Sequence, residues 1–341
     1  MLKAETETER NRAPEPLRFD NLEIGFPVVQ AALSGYSDAP MRVIARRHGA
    51  SYTICEVMLD QFLVCMKDRK RTSHFLHIEA EEHPVGGQLM GAEPAQFSAG
   101  AAKLVEAGFD VIDINFGCPV RQVTQKAHSG SYLLRFPDRM AEIIERVVEA
   151  CRPTPVTAKI RLGCTRDQIN AIDVAQVVEG AGAAALTVHG RTAADFFKGS
   201  ADWNRIAEIK SYLRHIPLIG NGDLDSAQKV VEAFRRYDVD GVMIARACLG
   251  RPWLFQQAAA ALRGEEIPAD PSIGEQRECM LRHYDLVVDR FGIEKGTLLM
   301  RKYACCYAQG KPGARHFRAH VASVSTPDAF HSVVREYFPR D

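Results

Sequence analysis

Residues 111–119, VIDINFGCP, set a strand-like run against an abrupt stop. Val111, Ile112 and Ile114 are β-branched and favour extended backbone. Gly117 then permits a tight turn, and Pro119 keeps regular structure from resuming. The thiol of Cys118 is thereby placed on a loop at the C-terminal end of a strand. A cysteine that only fills space sits more naturally inside a strand, as Cys55 does in SYTICEV (51–57).

Short apolar runs like this one recur along the chain. PVVQAAL (27–33), SYTICEV (51–57), VGGQLM (85–90), VIDINF (111–116), PVTAKIRL (155–162), AALTVHG (184–190), IPLIGNG (216–222) and DGVMIAR (240–246) all read as strands. Amphipathic stretches lie between them, such as PDRMAEIIERVVEACR (137–152) and SAQKVVEAFRRY (226–237). In the second, Val230, Val231, Phe234 and Tyr237 share one helical face. Eight alternating strand and helix units predict an α/β fold, a (β/α)8 TIM barrel. A doubly wound sheet is disfavoured because no GxGxxG follows the first strand. After GRPWLF (250–255) the rhythm turns purely helical, as in IGEQRECMLRHYDLVVDRF (273–291). The expected organisation is a flexible, charged N-terminal tail over 1–18, a barrel over 19–260 and a small C-terminal all-helical domain over 270–341.

Lys+Arg and Asp+Glu both number 43 in 341 residues, so attraction to a polyanion must come from a local patch. From Gln276 to Asp341 there are eleven Lys/Arg against seven Asp/Glu, which concentrates basic charge in the helical domain. Nine cysteines without a CxxC pair fit neither a disulfide framework nor a metal site. With no apolar leader and no apolar run long enough to span a bilayer, the expectation is a cytoplasmic, monomeric protein with no membrane and no metal partner.

In such barrels the loops after the strands converge on one mouth. Here the strand ends carry Gln88, Asn115, Cys118, Lys159, Arg161, His189, Arg191, Asn221 and Asp223. So many polar ends on apolar strands point to a shared site. GNGD (220–223) and IARACLGRPW (244–253) close the seventh and eighth strands, where backbone N–H groups often hold a phosphate, and Arg246 adds a charge there. Lys159 lies inside a strand, so its ammonium calls for an anionic neighbour: a reduced flavin, or a carboxylate such as Asp113 or Glu56. A Schiff-base role is the further possibility. Cys118 suits a general acid, because an ordinary thiol is mostly protonated at neutral pH.

The motifs AALSGYSDAPMR (31–42), CEVM (55–58), GGQLMG (86–91), DINFGCPVRQV (113–123), AKIRLG (158–163), TVHGRT (187–192), IGNGD (219–223) and GVMIARACLGRPWLF (241–255) stand in the order and spacing of the bacterial tRNA-dihydrouridine synthases, which the chain resembles over most of its length. FGIEKGTLLMRKYACCYAQGKPGARHFR (291–318) is similar to that family's C-terminal tRNA-binding helices. The resemblance implies FMN as cofactor, NADPH as reductant, and reduction of the C5=C6 bond of a tRNA uridine with Cys118 as proton donor. It implies that Ala32, Leu33, Ser34, Gln88, Lys159 and His189 line FMN and that Asn221, Gly222, Asp223, Ala245 and Arg246 hold its phosphate. Asn115 and Arg161 are expected near the uracil, Arg191 among the substrate contacts, and Lys302, Arg315 and Arg318 on the tRNA. The chain departs from the family at Ala31-Ala32-Leu33-Ser34, at Gln122, and in KAHSGSYLL (126–134), where His128 enters the loop after the cysteine. Two alternatives stand beside this reading: another FMN barrel acting on a pyrimidine, of the dihydroorotate dehydrogenase kind, and a catalytically impaired FMN-containing tRNA-binding protein.

Overall fold

The computed structural model describes residues 14–65 and 73–339. Eight parallel strands close into a barrel: β1 (Val28–Gln30), β2 (Thr53–Ile54), β3 (Val85–Met90), β4 (Val111–Asn115), β5 (Val156–Arg161), β6 (Ala185–His189), β7 (Leu218–Asn221) and β8 (Gly241–Ile244). Each pairs with the next, and Val242–Ile244 of β8 pair with Val28–Gln30 of β1 to complete the ring. The helices that follow the strands are α1 (Ala39–Arg47), α2 (Asp60–Cys65), α3 (Pro94–Glu106), α4 (Pro137–Cys151), α5 (Ala171–Gly180), α6 (Trp203–Lys210), α7 (Ala227–Arg236) and α8 (Leu254–Leu262). All eight expected strands are present.

A short antiparallel hairpin, Leu17–Phe19 with Leu22–Gly25, precedes β1. Its Leu17, Phe19 and Ile24 are buried against Val29, Tyr52, Ile54, Val111, Ala185, Ile219 and Met243, so the hairpin plugs the foot of the barrel. The fit is tight enough that a Cβ on Gly241 would stand 2.7 Å from Leu17. The tail expected over 1–18 therefore stops short of Leu17. Residues 1–13 lie outside the described residues. The lower interior is apolar, which leaves the polar strand residues to the mouth.

Beyond α8 the chain forms α9 (Ile273–Phe291), α10 (Ile293–Tyr307), α11 (Ala314–Ser323) and α12 (Pro327–Tyr337). A capping box, Ser272 with Glu275, starts α9. Gly296 lets α10 approach α9 closely, since a Cβ there would stand 2.8 Å from the Val288 Cα. Tyr284 stacks on Phe330 at 4.4 Å, joining α9 to α12. This unit packs on the barrel through α1 and through Gly250, where the chain meets the Cys306–Tyr307 backbone. Among the described residues no helix is long and apolar enough to cross a membrane.

Candidate active site at the barrel mouth

Strand register sets the neighbours at the mouth. Gln88 lies beside Asp113, Asn115 beside Lys159, and His189 between Arg161 and Asn221. Asp113 is buried and accepts from Gln88 Nε2 and Thr157 Oγ1, both at 2.6 Å. Because Asp113 takes the Gln88 amide N–H, Gln88 turns its Oε1 to Asn115 Nδ2 at 2.8 Å. Asn115 Oδ1 in turn accepts from the N–H groups of Gly117 (3.0 Å) and Cys118 (2.9 Å). A directed series of hydrogen bonds thus runs from the barrel interior to the cysteine. Burial pushes the Asp113 carboxyl up to about 6, against its hydroxyl and amide donors and Lys159.

The half-buried Cys118 is held from the other side as well. Its carbonyl accepts from Ser131 N (3.0 Å) and Ser131 Oγ (2.9 Å). Neighbouring Gly130 has φ +58, and a Cβ there would come within 2.7 Å of the Cys118 carbonyl oxygen. Burial raises the thiol above its ordinary value, opposed by the Val120 N–H and by Arg161, which keeps it protonated at neutral pH. His128, at φ +46, stacks on Tyr132 at 4.7 Å within the same loop.

Lys159 Nζ donates to Asn221 Oδ1 at 3.0 Å, and Asn221 Nδ2 to the Met243 carbonyl at 2.7 Å. Neither carboxylate considered for it from the sequence makes that bond: Asp113 takes Gln88 and Thr157, and Glu56 takes the Gly35 N–H at 2.8 Å. Burial and Arg161 push the lysine down to about 7, with Asp113 opposing. His189 is held far below its usual value by burial and by Lys159, Arg161, Arg191 and Arg246 around it, so it is neutral. Four cations therefore converge on one imidazole.

Arg161 ties the cysteine loop to the loop after β6. Its Nε donates to Gly117 O (2.9 Å), and its Nη1 to Thr192 O (2.9 Å) and Phe196 O (2.8 Å). Arg191, expected among the substrate contacts, is engaged with the protein itself. It is buried, and its guanidinium donates to Lys198 O (3.0 Å), Gly199 O (2.6 Å) and both Asp223 carboxylate oxygens (2.8 Å). It braces that loop because every edge of its fork meets the protein.

At the seventh and eighth strand ends, Gly222 has φ +135 and Asp223 φ +56. The Asp223 carboxylate is committed to Arg191 and to Ala201 N (2.7 Å), so any anion here would meet backbone rather than that side chain. Arg246, on a single turn after Ala245, is exposed, and its guanidinium lies 4.4 Å from the centre of the exposed Phe197 ring. The first-strand loop holding Ala32, Leu33 and Ser34 joins this wall through Ala31 N to Ile244 O at 2.9 Å. Arg315 and Arg318 are exposed on α11, on the side away from buried Phe317 and Val321. They do not join the mouth cluster. The half-buried Lys302 reaches the barrel instead, and its ammonium bonds the Gly35 carbonyl.

The mouth thus combines a desolvated ammonium bonded to a neutral amide, an exposed arginine, irregular backbone after β7 and β8, and a protonated thiol. That donor set suits a flat, anionic, phosphate-bearing cofactor. The family described as dihydrouridine synthase matches residues 29–340. This chain belongs to that family. It is 38% identical over 312 residues to tRNA-dihydrouridine synthase B of Pseudomonas aeruginosa, covering 91% of this chain and 92% of that protein. It is 37% identical over 313 residues to the protein of the same name from Xanthomonas axonopodis pv. citri, with the same coverage. Among solved structures, histamine dehydrogenase from Rhizobium sp. 4-9 matches 82% of this chain and 51% of its own, at 17% identity and a TM-score of 0.59, which supports the barrel fold. Within this family member, sequence reasoning considered Glu56 only as a carboxylate for Lys159, and it passed over Thr157 and Ser131 as site residues. Only the SGS run around Gly130 offered a signal for any of them.

Proposed function

We propose that this protein reduces the C5=C6 bond of a uridine in tRNA to 5,6-dihydrouridine, with FMN as its flavin and NADPH as reductant. The observation that carries the reading is Cys118: a protonated thiol clamped by Asn115 and Ser131 at the rim of a cation-rich barrel mouth. The family membership and the tRNA-dihydrouridine synthase names of its relatives support the same chemistry.

A flavin held at this mouth would supply the hydride for uracil C6. Cys118 supplies the proton to C5, its S–H bond breaking as C5–H forms. Arg161, bonded to the carbonyl of Gly117, stabilises the thiolate left behind until solvent returns a proton. Lys159 and His189 would line the flavin, where Lys159 would offer a cation whose charge is fixed once an anion arrives. Backbone at Gly222–Asp223 and Ala245, with Arg246, would hold its phosphate. Asn115 keeps its amide at the rim beside the cysteine, where uracil would enter.

A uridine in folded RNA must be extruded before it can reach such a mouth, at a cost of a few kcal/mol. The basic helical unit, with Arg315 and Arg318 exposed, offsets this by gripping phosphates. The protein then works in the cytoplasm, where tRNA is modified. The test is nucleoside analysis of tRNA from cells lacking the gene. Dihydrouridine is expected to fall at a defined position, to return with the parent gene, and not to return with Cys118→Ala, whose turnover should drop about 10²–10⁴-fold. An unchanged dihydrouridine content would overturn the reading.

A further inference from the structure

Gly35, at the tip of the loop after β1, is held on both sides of its backbone. Its N–H donates to Glu56 Oε2 at 2.8 Å, from the loop after β2. Its carbonyl accepts the Lys302 ammonium, which comes from α10 of the helical unit, 267 residues along the chain. The next residue is gripped from the same helix: the Tyr303 hydroxyl donates to the Tyr36 carbonyl at 2.9 Å, and the two tyrosine rings meet edge-on at 5.8 Å. Lys302 Nζ also lies 5.3 Å from the centre of the Tyr36 ring and 4.6 Å from that of Tyr303. The loop's own bracing is a local turn closed on Leu33, whose N–H donates to Ser37 Oγ at 2.9 Å and whose carbonyl accepts from the N–H groups of Tyr36 (2.8 Å) and Ser37 (2.9 Å). It sits at the barrel mouth, next to the end of β8, where Gly250 packs against the same stretch of α10.

From this geometry we infer that Lys302 and Tyr303 are positioning residues for the flavin site, so that the RNA-gripping unit also builds one wall of the cofactor pocket. The inference rests on the flavin reading above and extends it to residues outside the barrel. A loop whose glycine has φ +78 and whose tip is exposed would move more freely without its anchors than its local turn alone allows. Lys302 and Tyr303 fix it through backbone groups, so they act whatever side chains the loop carries. This gives Ala32, Leu33 and Ser34 a defined backbone position from which to meet a flavin ring. It also assigns Lys302 a task other than phosphate contact, because its ammonium is bonded to the Gly35 carbonyl.

The test uses the full chain, stripped of flavin and titrated with FMN by fluorescence quenching in the absence of RNA. Lys302→Met is expected to raise the FMN Kd about tenfold, the loss of one charge-assisted hydrogen bond, and Lys302→Arg to recover most of it. Tyr303→Phe is expected to raise it a few-fold. Arg315→Glu with Arg318→Glu should raise the KM for tRNA and leave the FMN Kd in place. If Lys302→Met raises only the KM for tRNA, Lys302 is an RNA contact and the inference fails. Hydrogen exchange at the Gly35 and Tyr36 amides provides a readout independent of cofactor. Faster exchange in Lys302→Met is expected, and unchanged protection would overturn the clamp. A parent protein that binds no FMN would sink the cofactor reading, while exchange would still judge the clamp.

Discussion

The two ends of this barrel handle charge in opposite ways. At the foot, carboxylates meet the first N–H groups of entering strands. Asp110 accepts from Val85 N at 2.7 Å, and Asp240 from Leu218 N at 2.7 Å and from Lys210. Glu179 accepts from the N–H groups of Arg214 (2.9 Å), His215 (2.7 Å) and Ile216 (3.2 Å). At the mouth, Lys159, Arg161, Arg191 and Arg246 crowd one neutral histidine, and the carboxylates Asp113 and Asp223 are committed to protein donors. A cavity of about 540 Å3 opens at the foot, lined by Arg18, Lys210, Arg214 and Asp240, far from the cysteine. Space alone therefore does not mark the chemistry here. Unbalanced charge does: Lys159 bonds an amide and Arg161 bonds carbonyls, neither a carboxylate, and such perturbed buried groups cluster at functional sites.

The sharpest way to break this contrast is at Asp113. An ionised carboxylate can only accept, and that fixes which end of Gln88, and so of Asn115, faces the cysteine. Asn in its place could donate, and the series would lose its direction. Asp113→Asn is expected to slow turnover about 10–100-fold with FMN retained, as expected of a small misplacement of a catalytic group. The parent has a further signature. Its Asp113 takes up a proton as pH falls through about 6, so single-turnover reduction should decline below that pH. The Asn variant should lack that limb. If both keep the same acid limb, the series does not direct Cys118.

A second test separates function from stability at Lys159. Its value in the flavin-free fold, about 7, lies below the ordinary lysine value of about 10.4. Between those values the unfolded chain binds more protons than the folded one, so this group's contribution to stability rises with pH. Below pH 7 the charged, desolvated form is a full liability. Lys159→Met is therefore expected to raise the Tm of flavin-free protein by about 1–3 °C at pH 6. The gap should close toward pH 10, and FMN affinity should fall. A variant less stable than the parent at pH 6 would mean that the Asn221 hydrogen bond outweighs the desolvation.

The barrel was legible because each strand is a compact apolar run closed by a polar or glycine-rich end, and all eight runs became barrel strands. The polar ends were legible for the same reason: Gln88, Asn115, Lys159, His189 and Asn221 meet through strand register, which the repeat itself implies. What sequence could not show is where loops and side-chain forks turn. Arg191 and Arg161 look alike at strand ends, yet Arg191 is enclosed by Lys198, Gly199 and Asp223 because the loop after β6 folds back on it. Lys302 sits in a basic helix, and only the packing of α10 on Gly35 reveals that its ammonium is bonded to a barrel loop. The hairpin at Leu17–Gly25 was hidden by its charged, proline-containing approach, although its apolar residues alternate.

The smallest expected effect is at the foot, where the contrast predicts loss of stability without loss of chemistry. Burial pushes the Glu179 carboxyl up, but the N–H groups of His215, Arg214 and Ile216 outweigh it and bring the group below the usual carboxylate range. A depressed value means that the folded state holds fewer protons. Its contribution is then complete above the unfolded value of about 4.3 and disappears as pH falls through the folded one. The group is largely exposed, so water screens it and replaces the lost acceptor. Glu179→Ala is expected to lower Tm by about 1–2 °C at pH 7, with kcat and KM for tRNA unchanged. The difference from the parent should shrink below pH 4, which thermal melts at a series of pH values would show. A fall in kcat at unchanged stability would mean that the foot, too, takes part in the chemistry, and the division between the two ends would have to be redrawn.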